Sequence, residues 1–236
     1  MLSDVMEDYL KAIYALQQES DDPVATSAIA EYLDVTPPTV TSMVEKLEER
    51  ELVEREKYKG VELTDEGETV ALEVLRHHRL LEAYLTEHLD YSWSEVHEEA
   101  DTLEHHISEE FERRVAELLD DPEVDPHGDP IPSADLAPIE DDDTTPLSDR
   151  DEGEAVVVAR VSDRDEAELQ YLSDAGITPG TELVVRDIAP FGMVTVGVGE
   201  EASGDDEQKG RGEAEQSLPE DVARSIRVRS AVEEVA

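Results

Sequence analysis

The stretch TPPTVTSMVEKLEERELV, residues 36–53, decides the fold. Thr36 carries the hydroxyl that suits a helix N-cap, and Pro37 fits the first helical position, where an N–H would have no partner in the helix. Val40, Met43, Val44 and Leu47 follow at i, i+3, i+4 and i+7, which predicts one buried stripe. The opposite face presents Thr39, Thr41, Ser42 and Lys46, with Thr36 and Pro38 at its N-terminal end. Upstream, a turn over Asp34–Thr36 follows a short helix that Thr26 or Ser27 caps and that runs to Leu33. Before it, Val5, Tyr9, Leu10, Ile13, Tyr14 and Leu16 stand close to helical spacing over residues 4–18, and DDP at 21–23 ends that helix. Downstream, LVEREKYKGVELT reads as two short strands around a turn at Lys57–Gly60. Helix, helix, turn, helix, β-hairpin is the order of a winged helix-turn-helix. Such a module leads into the major groove with the N-terminal residues of its last helix. Thr36, Pro38, Thr39, Thr41, Ser42 and Lys46 are therefore candidate contacts to double-stranded DNA, and Lys57, Tyr58 and Lys59 of the hairpin are candidate phosphate contacts. A tri-helical core with a hairpin but no affinity for DNA would share the pattern.

Beyond the hairpin, Thr64 caps a long helix over 65–90 with Val70, Val74, Leu75, Leu81 and Leu85 on its apolar side. Ser92 and Glu95 form a capping box for a helix over 94–107, and Ser108 starts another that runs to about Leu119. These three helices carry more apolar length than a lone DNA-binding module needs, which predicts a dimerisation domain and a homodimer. After Asp120 the chain turns rich in proline and acid. From Ala155 it becomes β-patterned: VVVARV, a short helix around Glu166–Ser173, then LVVRDI, VTVGV and IRVRS, as in a small SH3-like barrel. The fold class is thus mainly α with a small all-β C-terminal domain. The expected divisions are 1–66 for the winged helix-turn-helix, 67–132 for the helical domain, 133–153 for an acidic linker and 154–236 for the barrel, with a disordered insertion at 199–217.

Composition bounds the function. Asp and Glu number 63 against 19 Lys and Arg, a formal charge of −44 over 236 residues. The acids flank regular apolar stripes, so they lie on solvated helix faces; at molar salt their mutual repulsion is screened within about 3 Å. This balance reads as adaptation to a salt-rich, halophilic cytoplasm. Without cysteine there is no disulfide, thiolate zinc site or cysteine nucleophile, so any metal takes nitrogen and oxygen ligands. No apolar run approaches the roughly 18–20 residues of a membrane span, and the start lacks a signal-peptide pattern, so a cytoplasmic protein without a membrane partner is expected.

Asp101, Glu104 and His105 stand at i, i+3 and i+4, with His97 one turn earlier; His78 and Glu82 make a second i, i+4 pair. In a chain with 63 acids such pairs also arise by chance. Several motifs raise the signal: MEDYLKAIY (6–14), residues 36–53, KGVELTDEG (59–67), RHHRLLEAYL (76–85), VHEEADTLEHHI (96–107), DPHGDPIP (125–132) and SDAGITPGTEL (173–183). In this order they resemble the metal-dependent repressors related to the diphtheria toxin repressor and the manganese transport regulator. The resemblance implies a primary metal site of Asp8, Asp101, Glu104 and His105, and an ancillary site of His78, Glu82, His97, Asp165 and Glu168. It also implies repression of metal-uptake genes through a palindromic operator. Iron-type members resemble this chain but supply sulfur where Asp8 and Asp101 stand. Hard carboxylates there favour Mn²⁺ over Fe²⁺, although an N/O site accepts both. Manganese-type members place another carboxylate where Lys11 stands, which argues against a close pair of manganese ions here. His77, His88, His106 and His127 read as surface or packing residues. The rival reading is a metal-independent winged-helix regulator that senses a small ligand or protein partner through its third domain. No nucleophile or general-base set points to an enzyme, and His97-Glu98 lacks the second histidine of a zinc protease helix, because Asp101 stands there.

Overall fold

The computed structural model describes residues 2–18, 22–56, 59–139, 143–199 and 214–231, which fall into two compact units. The first comprises Met1–Leu81, Ala100–Asp121 and Ile131–Ile139. In it α1 (Asp4–Gln17), α2 (Thr26–Tyr32) and α3 (Pro37–Glu48) bury their stripes in one cluster with Leu10, Ile13, Ile29, Val40, Val44 and Leu47 at its centre. Thr36 is the extended N-cap residue of α3, but its hydroxyl pairs with that of Thr39 at 2.8 Å, and Pro37 and Pro38 fill the first turn instead. Strands β1 (Val53–Glu56) and β2 (Gly60–Leu63) form the wing, with Val53 opposite Leu63. Val24 adds a third short rung, its N–H and C=O each 2.9 Å from their partners on Val61. Only glycine fits at position 60, where a Cβ would lie 2.5 Å from the Val24 carbonyl oxygen.

Helix α4 (Asp65–Leu89) is capped by Thr64, whose hydroxyl accepts from the Gly67 N–H at 3.1 Å. Helix α5 (Val96–Leu103) is shorter than the expected 94–107, and Glu104–His106 form a turn. The chain must reverse there because Ser108 already caps α6 (Glu109–Leu118), accepting from the Phe111 N–H at 3.3 Å. Helix α6 buries Val115 and Ala116 and leaves Phe111 and Leu118 exposed.

The second unit comprises Glu82–Glu99, Pro122–Pro130 and Glu140–Ala236. Its antiparallel sheet has the order β3-β8-β4-β5-β6-β7. The elements are β3 (Thr145–Pro146), β4 (Ala155–Val161), α7 (Glu166–Asp174), β5 (Glu182–Ile188), β6 (Val194–Val198), β7 (Ala214–Leu218), α8 (Glu220–Ser225) and β8 (Ile226–Ser230). Its core gathers Leu147, Val156, Val158, Leu169, Leu172, Leu183, Val196, Ile226 and Val228.

Two expectations are corrected. Residues 214–217 of the insertion expected to be disordered form most of β7, paired along β6; AEQSL shows no alternation because only Leu218 turns into the core. Of the remainder, 200–213 lies outside the described residues. The stretch 133–153, expected as an acidic linker, is packed on both sides of residues 140–142. Leu136 and Ile139 pack on the first unit's core, whereas Leu147 is fully buried in the second and β3 pairs with β8. Among the described residues no helix is long and apolar enough to cross a membrane.

Candidate metal centres

The first unit brings together two carboxylate-bearing segments more than ninety residues apart. Helix α1 presents Glu7, Asp8 and Lys11; the end of α5 and the turn after it present Asp101, Glu104 and His105. His105 Nε2 lies 3.0 Å from Asp8 Oδ1 and 3.3 Å from Glu104 Oε1, and its Nδ1 lies 2.7 Å from Glu7 Oε2. Both ring nitrogens of His105 thus face carboxylate oxygens. Burial opposes charging the imidazole, but the hydrogen bond to Glu7 and the charges of Glu104 and Asp8 outweigh it and raise the pKa. Burial also raises the pKa of Asp8, against the pull of His105 and Lys11. Nε2 thus faces the carboxylates among which a cation would be held, and Glu7 would fix the imidazole tautomer from behind. Asp8, Glu104 and His105 can each offer one ligand atom within 4.8 Å of the others, a hard N/O set that fits Mn²⁺ or Fe²⁺.

Asp101, the fourth expected primary ligand, is turned to the other side of Glu104. Its Oδ1 is 2.9 Å from Lys11 Nζ and 3.3 Å from His78 Nδ1. Lys11 also donates to Glu104 Oε1 at 2.7 Å and Oε2 at 2.9 Å, and His78 Nδ1 is 2.6 Å from Glu104 Oε2. Burial works against the ammonium, yet the charges of Glu104 and Asp101 hold its pKa above the ordinary lysine value. His77 keeps its packing role, with Nδ1 3.1 Å from the Glu104 carbonyl oxygen.

The second unit holds another cluster. Glu82 Oε1 lies 3.3 Å from His97 Nδ1, which is 3.2 Å from Asp163 Oδ2. Glu82 Oε2 faces His127 Nδ1 at 3.5 Å, and His127 Nε2 donates to the Trp93 carbonyl oxygen at 2.8 Å. Asp125 Oδ1 accepts from the backbone N–H groups of His127 at 2.8 Å and Asp129 at 3.0 Å. Burial opposes charging His127, but the hydrogen bond and charge of Glu82, with Asp125 behind, raise its pKa to about 9. Glu82, Asp125 and His127 form a buried potential ligand group. Gly128, at φ +89°, lets this turn meet β4, where a Cβ would stand 2.1 Å from the Ala159 carbonyl oxygen.

Of the residues expected at the ancillary site, Glu82 and His97 meet in this unit, and His78 hydrogen-bonds Glu104 in the first. Asp165 and Glu168 are engaged elsewhere. Asp165 caps α7, accepting from the N–H groups of Ala167 and Glu168, and Glu168 accepts from the Ser225 hydroxyl. Asp163 takes the place beside His97; the Asp165-x-x-Glu168 spacing is itself a capping signature that marks Asp165 as a cap. His127, read as a surface or packing residue, is fully buried against Glu82. The signal for it was Asp125 two residues earlier in DPHGDP.

On α3, Thr36, Pro38, Thr39, Thr41, Ser42 and Lys46 are exposed while Val40, Val44 and Leu47 are buried. Lys59 is exposed at the wing, and Lys57 and Tyr58 lie outside the described residues.

Three family models match consecutive parts of the chain. The iron dependent repressor N-terminal DNA binding domain matches residues 1–61, the iron dependent repressor metal binding and dimerisation domain matches 64–133, and the FeoA domain matches 145–230. The chain belongs to the iron-dependent repressor family. It is 32% identical to the iron-dependent repressor IdeR of Mycobacterium tuberculosis, across 96% of this chain and 97% of that protein. A solved manganese-dependent transcriptional repressor in complex with manganese superposes with a TM-score of 0.84 at 37% identity, covering 95% of this chain and 99% of that one. The manganese regulator SloR superposes at 0.75 with 33% identity, covering 95% and 98%. This repressor is therefore a metal-dependent, DNA-binding transcriptional regulator that binds DNA as a homodimer, with a winged-helix domain, a helical dimerisation domain and an SH3-like C-terminal domain.

Proposed function

We propose that this repressor is switched by Mn²⁺ or Fe²⁺, with Mn²⁺ favoured, through Asp8, Glu104 and His105, with Asp101 and Lys11 completing the cluster. The observation that carries this reading is the meeting of Asp8 on α1 with Glu104 and His105 in the turn after α5. A divalent ion there supplies the positive charge that allows three carboxylates to sit together. The residues do the rest: Asp8 anchors the DNA-binding helices, Glu104 and His105 anchor the dimerisation helices, and Glu7 orients the imidazole. Fixing that junction limits the spacings open to the dimer's two α3 helices, which must meet major grooves about 34–36 Å apart, or a multiple of it. Affinity rises because fewer unproductive arrangements compete. A palindromic operator follows from the two-fold dimer, and the exposed Phe111 and Leu118 of α6 support its interface. Metal-uptake genes are the targets that the family resemblance supports. Kinship with transcriptional repressors supports a regulator without catalytic activity.

The test selects duplexes from a random pool with the full-length protein in molar KCl, with Mn²⁺, Fe²⁺ under anaerobic conditions, or chelator. Enrichment of a palindrome with Mn²⁺ or Fe²⁺ and its loss with chelator are expected. Equal enrichment under all conditions would transfer the function to the metal-independent alternative.

Glu82, His97 and Asp163, with His127 behind Glu82, are proposed as the second metal site. Asp163→Ala should weaken Mn²⁺ binding at that site by more than about tenfold, beyond the lower end of losses seen on removing supporting residues. Asp165→Ala should leave binding intact and lower stability by about 1 kcal/mol through loss of the cap. Calorimetric Mn²⁺ titration and chemical unfolding of both variants separate the roles; the reverse pattern would return the ligand role to Asp165.

A further inference from the structure

We propose that Glu45 of α3 reads a cytosine in each half of the operator, with Arg55 on β1 holding its carboxylate in place. The inference rests on the reading of α3 as the helix that enters the major groove, and adds a base preference to it. Pro38, Thr41, Ser42 and Glu45 stand at i, i+3, i+4 and i+7 and are all exposed, on the side of α3 away from the buried Val40, Val44 and Leu47. A helix lying in a groove reads bases with such a stripe. Its threonine is already committed, since the Thr41 hydroxyl donates to the Pro37 carbonyl oxygen at 3.1 Å; beside the stripe, Thr39 pairs with Thr36 at 2.8 Å. Ser42 and Glu45 are the polar members of the stripe left to meet base edges. Arg55 Nη1 lies 3.5 Å from Glu45 Oε1 and 3.6 Å from Glu48 Oε2, so one guanidinium steadies both acids and reserves Glu45 Oε2 for the base.

A carboxylate on this face meets an opposing field, because DNA carries one negative charge for about every 1.7 Å of its axis. Unmatched, it would only weaken binding. Arg55 offsets part of that charge, and a hydrogen bond from a base offsets more. An ionised carboxylate accepts hydrogen bonds and donates none. In the major groove its possible donors are the amino groups of cytosine and adenine. Adenine sets the N7 acceptor beside its amino group, and that lone pair repels a carboxylate oxygen. Cytosine presents the amino group with no acceptor of its own, so Glu45 selects cytosine. Glutamine has the same length and shape but carries both a donor and an acceptor, which matches adenine N6 and N7. Exchanging the two therefore changes the base that is read.

The test selects duplexes from a random pool with full-length wild type, Glu45→Gln and Glu45→Ala in molar KCl with Mn²⁺, circular dichroism confirming that each variant is folded. Wild type is expected to enrich one C·G pair in each half-site that Glu45→Gln converts to A·T and Glu45→Ala leaves free, with the other positions kept. Replacing that cytosine should weaken wild-type binding by about tenfold and leave Glu45→Ala binding unchanged. Arg55→Ala should blur the same position alone, and Arg55→Lys should restore it. An equal loss on every sequence would make Arg55 a phosphate contact and overturn its positioning role. The same motif from wild type, Glu45→Gln and Glu45→Ala, or no cytosine in the wild-type motif, would overturn the proposal. Failure of the underlying reading looks different. If α3 does not enter the groove, Ser42→Arg also leaves the motif unchanged; if it does and Glu45 is idle, Ser42→Arg brings in a guanine while the Glu45 variants change nothing.

Discussion

Asp8→Ala is expected to abolish the stimulation of DNA binding by metal while leaving the dimer intact. Asp8 is the only member of the Asp8, Glu104 and His105 set that stands on α1; the other two lie in the turn after α5. Without Asp8 an ion can still be held by Glu104 and His105, but it no longer joins the DNA-binding helices to the dimerisation helices. Coupling between effector and ligand is typically worth about 1–3 kcal/mol, or roughly 5–150-fold in affinity. The ratio of operator affinities with and without Mn²⁺ should therefore fall from that range to about one. Fluorescence anisotropy with a labelled palindrome gives the ratio, and light scattering confirms the dimer. Undiminished metal activation of this variant would show that the switch does not run through α1.

The second large effect is on stability. Glu104 is fully buried and is bonded by Lys11 and His78 and approached by His105, so it is the charge around which the cluster is built. Glu104→Ala leaves the Lys11 ammonium in a largely buried place with Asp101 as its remaining counter-charge. Removing one partner of a buried ion pair typically costs about 3–5 kcal/mol, because the other is left uncompensated. A loss of that order is expected from denaturant unfolding in molar KCl with chelator present, since buried pairs are screened little by salt. Adding Lys11→Met to Glu104→Ala should recover part of the loss. The two sites touch, so their effects should not add. A loss below about 1 kcal/mol for Glu104→Ala would mean that water reaches the cluster freely.

The winged helix-turn-helix and the helical core were legible in the sequence because their signals are local. Val40, Val44 and Leu47 recur at the spacing that puts them on one face, and the same three are buried. Thr64 and Ser108 mark helix starts and act as caps. Strand β7 was not legible, since an edge strand with one buried residue has no alternation to read; it exists because β6 offers it a ladder of backbone partners. The early end of α5 was hidden for a related reason. Its apolar and capping pattern ran on, and the stop comes from the next helix starting at Ser108.

The ligand sets divide along the same line. Composition alone excluded thiolate ligands, and family motifs named Asp8, Asp101, Glu104 and His105. Only the tertiary structure decided that Asp101 turns to Lys11 and His78, that Asp163 stands beside His97 while Asp165 caps a helix, and that His127 is buried against Glu82. Helical periodicity speaks only for residues three or four apart, whereas Asp8 and His105 are separated by 97 positions. Which carboxylate reaches a given imidazole depends on where two distant backbones cross and which side chains can be desolvated together. Those are properties of packing that no single segment carries.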